Sequence, residues 1–390
     1  MSEVRSPAGA EDGFLLAVSC ATTTQCVGGG YYTSSIGIAT PMVATMSGSS
    51  WGRGRTVVLP PTTTDPHGEG QITGVSCPAK NACTAVGFNL GYNGEAYIKE
   101  AFAVSQSHGA WGPIHFLTLP SGAASVTEAT LTGVSCTSAG NCEAVGYFAA
   151  SSENLVPMAV QELHGSWRAA TEIGVPANAT TARGAYAVLD AVSCPKPGSC
   201  VGVGSYLSGS YKLEGLTAVE SGGHWKPAAE AALLATAAAN IVSGLLSVSC
   251  SSRTSCLAVG GYATTSGSLS ASISDAFSNG HWGTVHLVKV VPAKAAAKPA
   301  SWLYGVSCET TSCEVVGNYT DSAGTQIWMA VSYSHGKWGK ATAVTEPANA
   351  LKGSEQQSIP DGISCAGTRC TAVGSYWDTT DHQDAMAATG

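Results

Sequence analysis

The side chains that could carry chemistry in this 390-residue chain are aspartates that follow strand-like apolar stretches. They are Asp190, Asp321, Asp361, Asp378, Asp381 and Asp384, and two such carboxylates brought together could hydrolyse a glycosidic bond. Asp378, Asp381 and His382 form the densest polar cluster, which suits either a solvated loop or a weak cation site with oxygen ligands. Asp321 and Asp378 are the candidate catalytic residues, and no metal site is assigned.

Aromatic residues supply a second set of candidates, because they recur where the second strand of each repeat is expected to end. The ligand-binding candidates are Tyr32, Tyr92, Tyr147, Tyr206, Tyr262, Tyr319, Tyr376, Trp377 and Asp378. Aromatic and polar groups with few charges suit a neutral, hydroxyl-rich ligand that stacks and hydrogen-bonds. The alternative is that each tyrosine only caps its own repeat.

Fourteen cysteines form seven closely spaced pairs. The pairs are Cys20–Cys26, Cys77–Cys83, Cys136–Cys142, Cys194–Cys200, Cys250–Cys256, Cys308–Cys313 and Cys365–Cys370. Zinc would need two pairs converging on one ion, and redox catalysis would favour a Cys-x-x-Cys spacing that does not occur here. A short hairpin loop places two β-carbons at a distance that a disulfide can span, so seven disulfides are predicted, one in each repeat.

The elements that must position these residues are repeats. Successive first cysteines lie 56 to 59 residues apart, and each repeat contains stretches for four short antiparallel strands. A β-sandwich would not explain seven copies of one phrase at constant spacing. The sequence therefore predicts an all-β, seven-bladed β-propeller with four antiparallel strands and one disulfide in each blade.

The whole chain, residues 1–390, is expected to form one propeller domain. The predicted blades are residues 14–66, 67–125, 126–183, 184–240, 241–297 and 298–355, with the last formed by 356–390 plus 1–13. The seventh repeat stops before its fourth strand, and Ser2 to Pro7 aligns with Thr56 to Pro61 of the first repeat. We therefore expect the N-terminus to complete the last blade, which removes exposed strand edges at the seam.

Tryptophan and histidine also recur, in a His-Gly-x-Trp turn. The tryptophans are Trp51, Trp111, Trp167, Trp225, Trp282 and Trp338, and the histidines are His108, His164, His224, His281 and His335. Tryptophan could stack on sugars, but a residue kept in every blade is more often an interblade packing element, and we favour packing. The histidines would lie a blade apart, so a polar turn residue is favoured over a metal ligand.

The turn resembles the Asp-box of sialidase-like propellers, in which Ser-x-Asp-x-Gly-x-x-Trp links the two outer strands of a blade. Ser107-His108-Gly109-Ala110-Trp111 keeps the Gly and Trp but lacks the Asp and shortens the spacing, and the few arginines do not form the sialidase triad. The whole chain looks more like the cysteine-paired propeller repeats of proteins secreted by high-GC Gram-positive bacteria, with Val-Ser-Cys and Cys-x-Ala-Val-Gly phrases. This resemblance implies the fold and export, without a uniform activity.

Composition excludes several classes of function. The formal net charge is −8, and the 18 lysines and arginines are scattered, which argues against nucleic acid as a partner. No apolar stretch is long enough to span a bilayer, and residues 1–13 do not look like a signal peptide. Paired cysteines nevertheless indicate an oxidising compartment, so a secreted or extracellular protein is expected. No phosphate-binding loop occurs, so no cofactor is expected, and we expect a monomer.

Three functions remain open at this point. The preferred one is a non-enzymatic binding module that recognises a neutral glycan, a cell-wall polymer or an extracellular protein on the face where the loops vary. The first alternative is a carbohydrate-active hydrolase or lyase that uses carboxylates near the central channel. The second is a structural or protein-interaction scaffold.

Overall fold

The computed structural model describes residues 1–60, 69–92, 97–124, 128–232, 241–264, 270–353 and 357–390. These residues form seven antiparallel sheets and contain no helix. Each sheet is one blade of a β-propeller, so the predicted all-β, seven-bladed fold is confirmed. Within the described part of the chain, no helix is long and apolar enough to cross a membrane.

The first strand of every blade is innermost and is called here the inner strand. Each inner strand contacts the inner strands of both neighbouring blades, and the seventh contacts the first, so the seven surround the propeller axis. The inner strands are Ala10–Thr22, Glu69–Ala79, Ala129–Ser138, Ala187–Lys196, Ile241–Ser252, Ser301–Glu309 and Ser358–Ala366.

The second and third strands extend each blade outward in antiparallel order. The second strands are Gln25–Ser34, Ala82–Tyr92, Asn141–Ala149, Ser199–Leu207, Ser255–Thr264, Ser312–Thr320 and Arg369–Trp377. The third strands are Ala39–Ser47, Tyr97–Ser107, Leu155–Leu163, Leu213–Ser221, Ser270–Ser278, Gln326–Ser334 and Gln383–Thr389. Antiparallel order places the cysteine turns on one face of the propeller, called here the turn face, and the connections from second to third strands on the opposite face.

In the first six blades the outer strand consists of two short pieces, although the sequence around and after each tryptophan, such as Trp111 to Leu119, reads as one extended segment. The pieces are Ser50–Trp51 and Arg55–Thr56, Ala110–Trp111 and His115–Phe116, Ser166–Trp167 and Thr171–Glu172, His224–Trp225 and Ala229–Glu230, His281–Trp282 and His286–Val288, and Lys337–Trp338 and Thr342–Ala343. Both pieces pair with the third strand of their blade.

The turn before the tryptophan has a backbone reason for its His-Gly sequence. His108 and Gly109 have φ values of 51° and 83°, and the φ values are similar in His164-Gly165 and His335-Gly336. Positive φ at both central residues is the geometry of a type I′ hairpin turn, which favours glycine at the second position. The His108 ring also hydrogen-bonds locally, with its Nδ1 2.9 Å from the Ser107 hydroxyl oxygen.

The N-terminus completes the last blade. Ser2–Glu3 pairs with the third strand of the seventh blade, with Glu3 opposite Met386. In the first blade Thr56 lies opposite Met42, so Glu3 rather than Ser2 is the equivalent of Thr56. The predicted closure is confirmed, and its alignment is shifted by one residue.

All seven predicted disulfides are present, each between two cysteines in the turn that joins an inner strand to the second strand of the same blade. No described cysteine is free. Seven disulfides indicate an oxidising, extracellular environment.

The Val-Ser-Cys phrase joins each blade to the next through the serine. The Ser135 hydroxyl accepts a hydrogen bond from the backbone N–H of Cys194 in the following blade, and Ser364 accepts one from Cys20 across the seam. The same bond links every pair of neighbouring blades, at 2.9–3.0 Å. We call this set the serine ring.

The glycine of the Cys-x-Ala-Val-Gly phrase is required by a close approach to the inner strand. A Cβ atom on Gly146 would lie 2.0 Å from the carbonyl oxygen of Thr130, and the equivalent glycines of the other six blades give 1.9–2.1 Å. No side chain fits at that distance, so the second strand can lie this close to the inner strand only through glycine.

The hydrophobic core lies between blades. One cluster, for example, packs Val86 and Ala103 of the second blade against Leu131 and Met158 of the third. Burial of apolar surface between neighbouring blades therefore stabilises the ring as a whole rather than each sheet alone.

Candidate functional site

Each inner strand contains a β-bulge four residues before its first cysteine. The pairing register with the second strand shifts at this point in all seven blades, for example between Leu189 and Ala191, and leaves one residue unpaired. The unpaired residues, called here the bulge ring, are Leu16, Thr73, Thr132, Asp190, Leu246, Tyr304 and Asp361. Bulges re-aim side chains and are frequent at functional sites.

Two side chains of the bulge ring reach across to the inner strand of the next blade. The Thr73 hydroxyl donates to the carbonyl oxygen of Leu131 at 2.5 Å, and the Thr132 hydroxyl donates to that of Leu189 at 2.6 Å. Because the inner strands surround the axis, the seven positions form one circle of side chains around it.

Two members of this circle are acids in an unusual environment. Burial raises the pKa of Asp190 to about 7 and the pKa of Asp361 to about 8. Both residues are nevertheless partly exposed as a whole. A carboxyl group with a pKa near neutrality can donate a hydrogen bond as an acid at pH 7 and can also release its proton.

Tyrosines surround both acids. Burial raises the pKa of Tyr31 and of Tyr304, and in both cases the nearby charge of Asp361 adds to the effect. On the other side of the ring, burial and then the charge of Asp190 raise the pKa of Tyr186. Tyr31 and Tyr304 come from the first and sixth blades, so Asp361 of the seventh blade lies between two tyrosines contributed by its neighbours.

Further aromatic side chains lie at the same level of the inner and second strands, and all of them are partly exposed. Phe14 stacks on Tyr31, with ring centroids 4.5 Å apart. The Lys99 ammonium group lies 4.6 Å from the centroid of Phe88 and 3.8 Å from a carboxylate oxygen of Glu128. We define the axial mouth as the bulge ring together with Phe14, Tyr31, Phe88, Tyr147, Tyr186 and Trp302.

The tyrosines predicted from the sequence divide into two groups according to their exposure. Tyr147 follows the close-approach glycine directly and is partly exposed at the axial mouth, and Tyr32 is partly exposed near the outer strand, with its hydroxyl 3.1 Å from that of Thr56. Four others are buried in the core between neighbouring blades: Tyr206, Tyr262, Tyr319 and Tyr376. The side chain of Tyr92 lies outside the described residues, and Trp377 is partly exposed.

The buried tyrosines tie loops to strands. The Tyr206 hydroxyl lies 2.9 Å from Oδ1 of Asn178 and 2.7 Å from a carboxylate oxygen of Glu214. The Tyr376 hydroxyl has an equivalent arrangement with Asn349, at 3.0 Å, and Asp384, at 3.4 Å. These contacts hold both hydroxyl groups within the protein.

The two candidate catalytic residues, Asp321 and Asp378, cap the loops between second and third strands. Oδ1 of Asp321 accepts hydrogen bonds from the backbone of Ala323 and Thr325 at 2.8 and 3.0 Å. Burial acts to raise the pKa of Asp378, but hydrogen bonds from the Thr380 side chain and from the backbone of His382 and Thr380 outweigh it and lower that pKa. These acids are held by their own loops, away from Asp190 and Asp361.

Sequence reasoning named Asp190 and Asp361 only among other acids and did not select Tyr186, Tyr304, Phe14 or Trp302. The signal was present, because Asp190 and Asp361 both lie four residues before the first cysteine of their repeats. An alignment of the seven repeats on that cysteine places them at one level of the ring.

The tryptophan of the fourth blade has the interblade role that was favoured. The Trp225 indole N–H donates to a carboxylate oxygen of Glu143 in the third blade at 2.9 Å. Burial raises the pKa of Glu143 to about 7, although this hydrogen bond opposes the effect.

No protein-family profile and no curated protein sequence matches the chain. Among solved structures, an ulvan lyase from a new family of polysaccharide lyases covers 97% of this chain and 94% of its own, with a TM-score of 0.56 and 8% identity. The same lyase bound to GlcA(1-4)Rha3S gives a TM-score of 0.55. A microbial sialidase, Hz136, gives 0.49 at 9% identity and covers 97% of this chain and 66% of its own. At such identities the similarity shows the fold alone, and the chain is a seven-bladed β-propeller with a disulfide in each blade.

Proposed function

We propose that this protein is a secreted, monomeric binding module that recognises a neutral glycan, such as a cell-wall polymer, at the axial mouth. The observation that carries the proposal is the composition of the mouth, in which partly exposed aromatic rings lie beside two carboxyl groups whose pKa burial raises to about 7 in Asp190 and about 8 in Asp361. Aromatic faces stack on sugar rings, and a few convergent polar groups fix the orientation of a ligand.

Charge at the mouth favours a neutral ligand over an ionic one. With a pKa of about 8, Asp361 is mostly uncharged at pH 7 and can donate a hydrogen bond to a sugar oxygen. Lys99 is engaged by Phe88 and Glu128, so its charge is partly compensated. A strongly anionic polysaccharide would also meet the negative net charge of the chain, which is −8.

Affinity electrophoresis in gels containing neutral or acidic polysaccharides, together with sedimentation on cell-wall fractions, tests this function. Retardation is expected with a neutral polymer, and Tyr147→Ala should lower the affinity about 5- to 150-fold, since stacking of a base on an aromatic side chain contributes about 1–3 kcal/mol by alanine substitution and we take a sugar face as comparable. The matched control is Tyr211→Asn. Tyr211 is exposed on a loop farther from the axis and has a φ of 58°, which asparagine tolerates.

Equal weakening by both variants would place binding outside the axial mouth. Absence of retardation by every polymer and fraction would leave the scaffold alternative, in which the loops contact a protein.

The second candidate function is a hydrolase or lyase, which the pKa values of Asp190 and Asp361 favour. A carboxyl group that titrates near pH 7 is suited to general acid or base catalysis. If cleavage occurs, release of reducing ends should be lost in Asp361→Asn and kept in Asp378→Asn, whose acid is committed to its own loop. Undiminished cleavage by Asp361→Asn would exclude that residue.

A further inference from the structure

A separate groove opens between the second and third blades on the turn face. Its cavity has a volume of about 680 Å³, which falls within the range of small-molecule sites. Thr84, Ser105 and Gln106 line it from the second blade, and Glu162 and Trp167 line it from the third. The axial mouth lies at the opposite ends of these strands, so the two sites are distinct.

Glu162 is the unusual residue of this groove. Its side chain is only 2% exposed, and its Oε2 atom has no hydrogen-bond partner among the described residues. Burial raises the pKa of the carboxyl group, and a hydrogen bond from the Ser105 side chain opposes this effect. A buried polar atom without a partner is costly, so Oε2 is a vacant hydrogen-bonding position on a residue that lines the cavity.

The groove exists because one side chain differs between blades. Glu143, which directly follows a cysteine, receives the Trp225 indole N–H across the boundary of the third and fourth blades. A crevice that Glu143 lines at this boundary measures only about 20 Å³. The residue equivalent to Glu143 in the second blade is Thr84, which is too short to fill the same space beside Trp167.

The first blade supports this explanation. Its equivalent residue is Val27, and the groove between the first and second blades again measures about 690 Å³. The described residues that line that groove include Arg53 and Arg55 and no acid. Among the grooves described, a buried acid facing a cavity of this size is therefore a property of the boundary between the second and third blades.

We propose that the groove between the second and third blades binds a single sugar unit, with Glu162 accepting hydrogen bonds from its hydroxyl groups and Trp167 packing against its ring. The hydroxyls of Ser105, Ser107 and Ser166 and the amide of Gln106 supply the mixed donors and acceptors that a hydroxyl-rich ring requires. An organic cation fits less well, because Glu162 is the only acid among the described residues that line the groove and His115 stands exposed at its rim.

Saturation-transfer NMR and calorimetry on the full chain test the proposal. The probes are methyl glycosides of neutral hexoses, 6-deoxyhexoses and N-acetylhexosamines, with choline as the cationic probe. At least one glycoside should bind, and Glu162→Gln should weaken its binding about tenfold or more, since hydrogen bonds to charged groups contribute about 1.5–3 kcal/mol. Glu220→Gln is the matched control, because Glu220 occupies the same third-strand position opposite its tryptophan in the fourth blade.

A variant that does not disturb the interior keeps the test independent of folding. His115→Trp changes an exposed residue at the rim, and it should block the groove and reduce binding as strongly as Glu162→Gln. Tyr147→Ala, which alters the axial mouth, should leave glycoside binding at the groove unchanged even if it abolishes polymer binding.

Several results would overturn the proposal. They are the absence of binding by every glycoside, binding of choline alone, equal weakening by Glu220→Gln, or full binding by His115→Trp. Loss of glycoside binding in Tyr147→Ala would assign the sugar to the axial mouth and would equally refute a site in the groove.

Discussion

Replacing Asp361 by asparagine should make the protein more stable at alkaline pH and should change it little near pH 4. Burial raises the pKa of Asp361 from 3.8 to about 8. A folded-state pKa above the unfolded value means that the unfolded chain releases its proton first. The wild type therefore loses stability as the pH rises from about 4 to about 8, and an asparagine at this position, which cannot ionise, removes this loss.

The magnitude follows from the size of the shift. Each pKa unit corresponds to about 1.4 kcal/mol, so a shift of roughly four units sets an upper limit of about 6 kcal/mol on the difference. The residue as a whole is partly exposed, which lowers this figure, and we expect a gain of several kcal/mol for Asp361→Asn at pH 9. The difference between variant and wild type should grow steadily with pH and level off above about pH 8.

Urea denaturation followed by tryptophan fluorescence at half-unit intervals from pH 4.5 to pH 9.5 measures this difference, with refolding checked at each end. Asp381→Asn removes the same formal charge from an exposed loop position with a φ of 70° and controls for net charge. A difference for Asp361→Asn that does not change with pH, or a variant less stable than wild type at pH 9, would refute the assignment of Asp361 as a carboxyl group destabilised by its surroundings.

Three further predictions concern the scaffold. Ser135→Ala removes the acceptor of the Cys194 amide and should lower the free energy of unfolding by about 1–2 kcal/mol in urea titrations, whereas Ser278→Ala, at an exposed strand position, should change it by less than about 0.5 kcal/mol. Gly146→Ala should destabilise the protein by about 3 kcal/mol or prevent folding, because its Cβ would lie 2.0 Å from the Thr130 carbonyl oxygen. The control is Gly244→Ala, whose Cβ would have its nearest atom at 3.7 Å and which should give a folded protein by circular dichroism. Equal yields of the two variants would contradict the close-approach argument. Non-reducing peptide mapping should recover each cysteine turn as an internally linked fragment, and a disulfide between different blades would be incompatible with this fold. Reduction should lower the thermal midpoint of unfolding, with each short disulfide loop contributing about 2 kcal/mol.

The fold was predictable because its strongest signals are local and repeated. A cysteine turn, a close-approach glycine and a type I′ turn each need only a few neighbouring residues, so every repeat carries the same phrases. The break in the outer strand was not predictable, since a segment such as Trp111 to Leu119 contains apolar residues typical of one extended strand. Only His115–Phe116 returns to the third strand after Trp111.

The candidate site was harder to predict, because a shift of one residue decides which side of a strand a side chain occupies. Tyr147 directly follows Gly146 and is partly exposed, whereas Tyr206 lies two residues after Gly204 and is buried. Both tyrosines were selected from the sequence as equivalent. Counting from the close-approach glycine would have separated them.

Contacts between blades carry no local signal at all. Trp225 and Glu143 are 82 residues apart, and the residues around either one do not predict the contact between them. The groove beside Glu162 depends on the same kind of contact, since it is the short Thr84 of another blade that leaves the space open. Such features follow only from the packing of complete blades.

The serine ring also affects how such a chain can gain repeats, lose repeats or be circularly permuted. In every repeat the serine hydroxyl accepts a hydrogen bond from the next repeat, and the cysteine N–H donates one to the previous repeat. The bond between Ser364 and Cys20 has the same form as the other six. No blade boundary therefore differs from the others in this bond, so a circularly permuted chain with its termini in another blade should fold into the same propeller. Loss of part of a repeat would leave one serine hydroxyl without its donor and one cysteine N–H without its acceptor. Evolutionary change by whole repeats is therefore favoured.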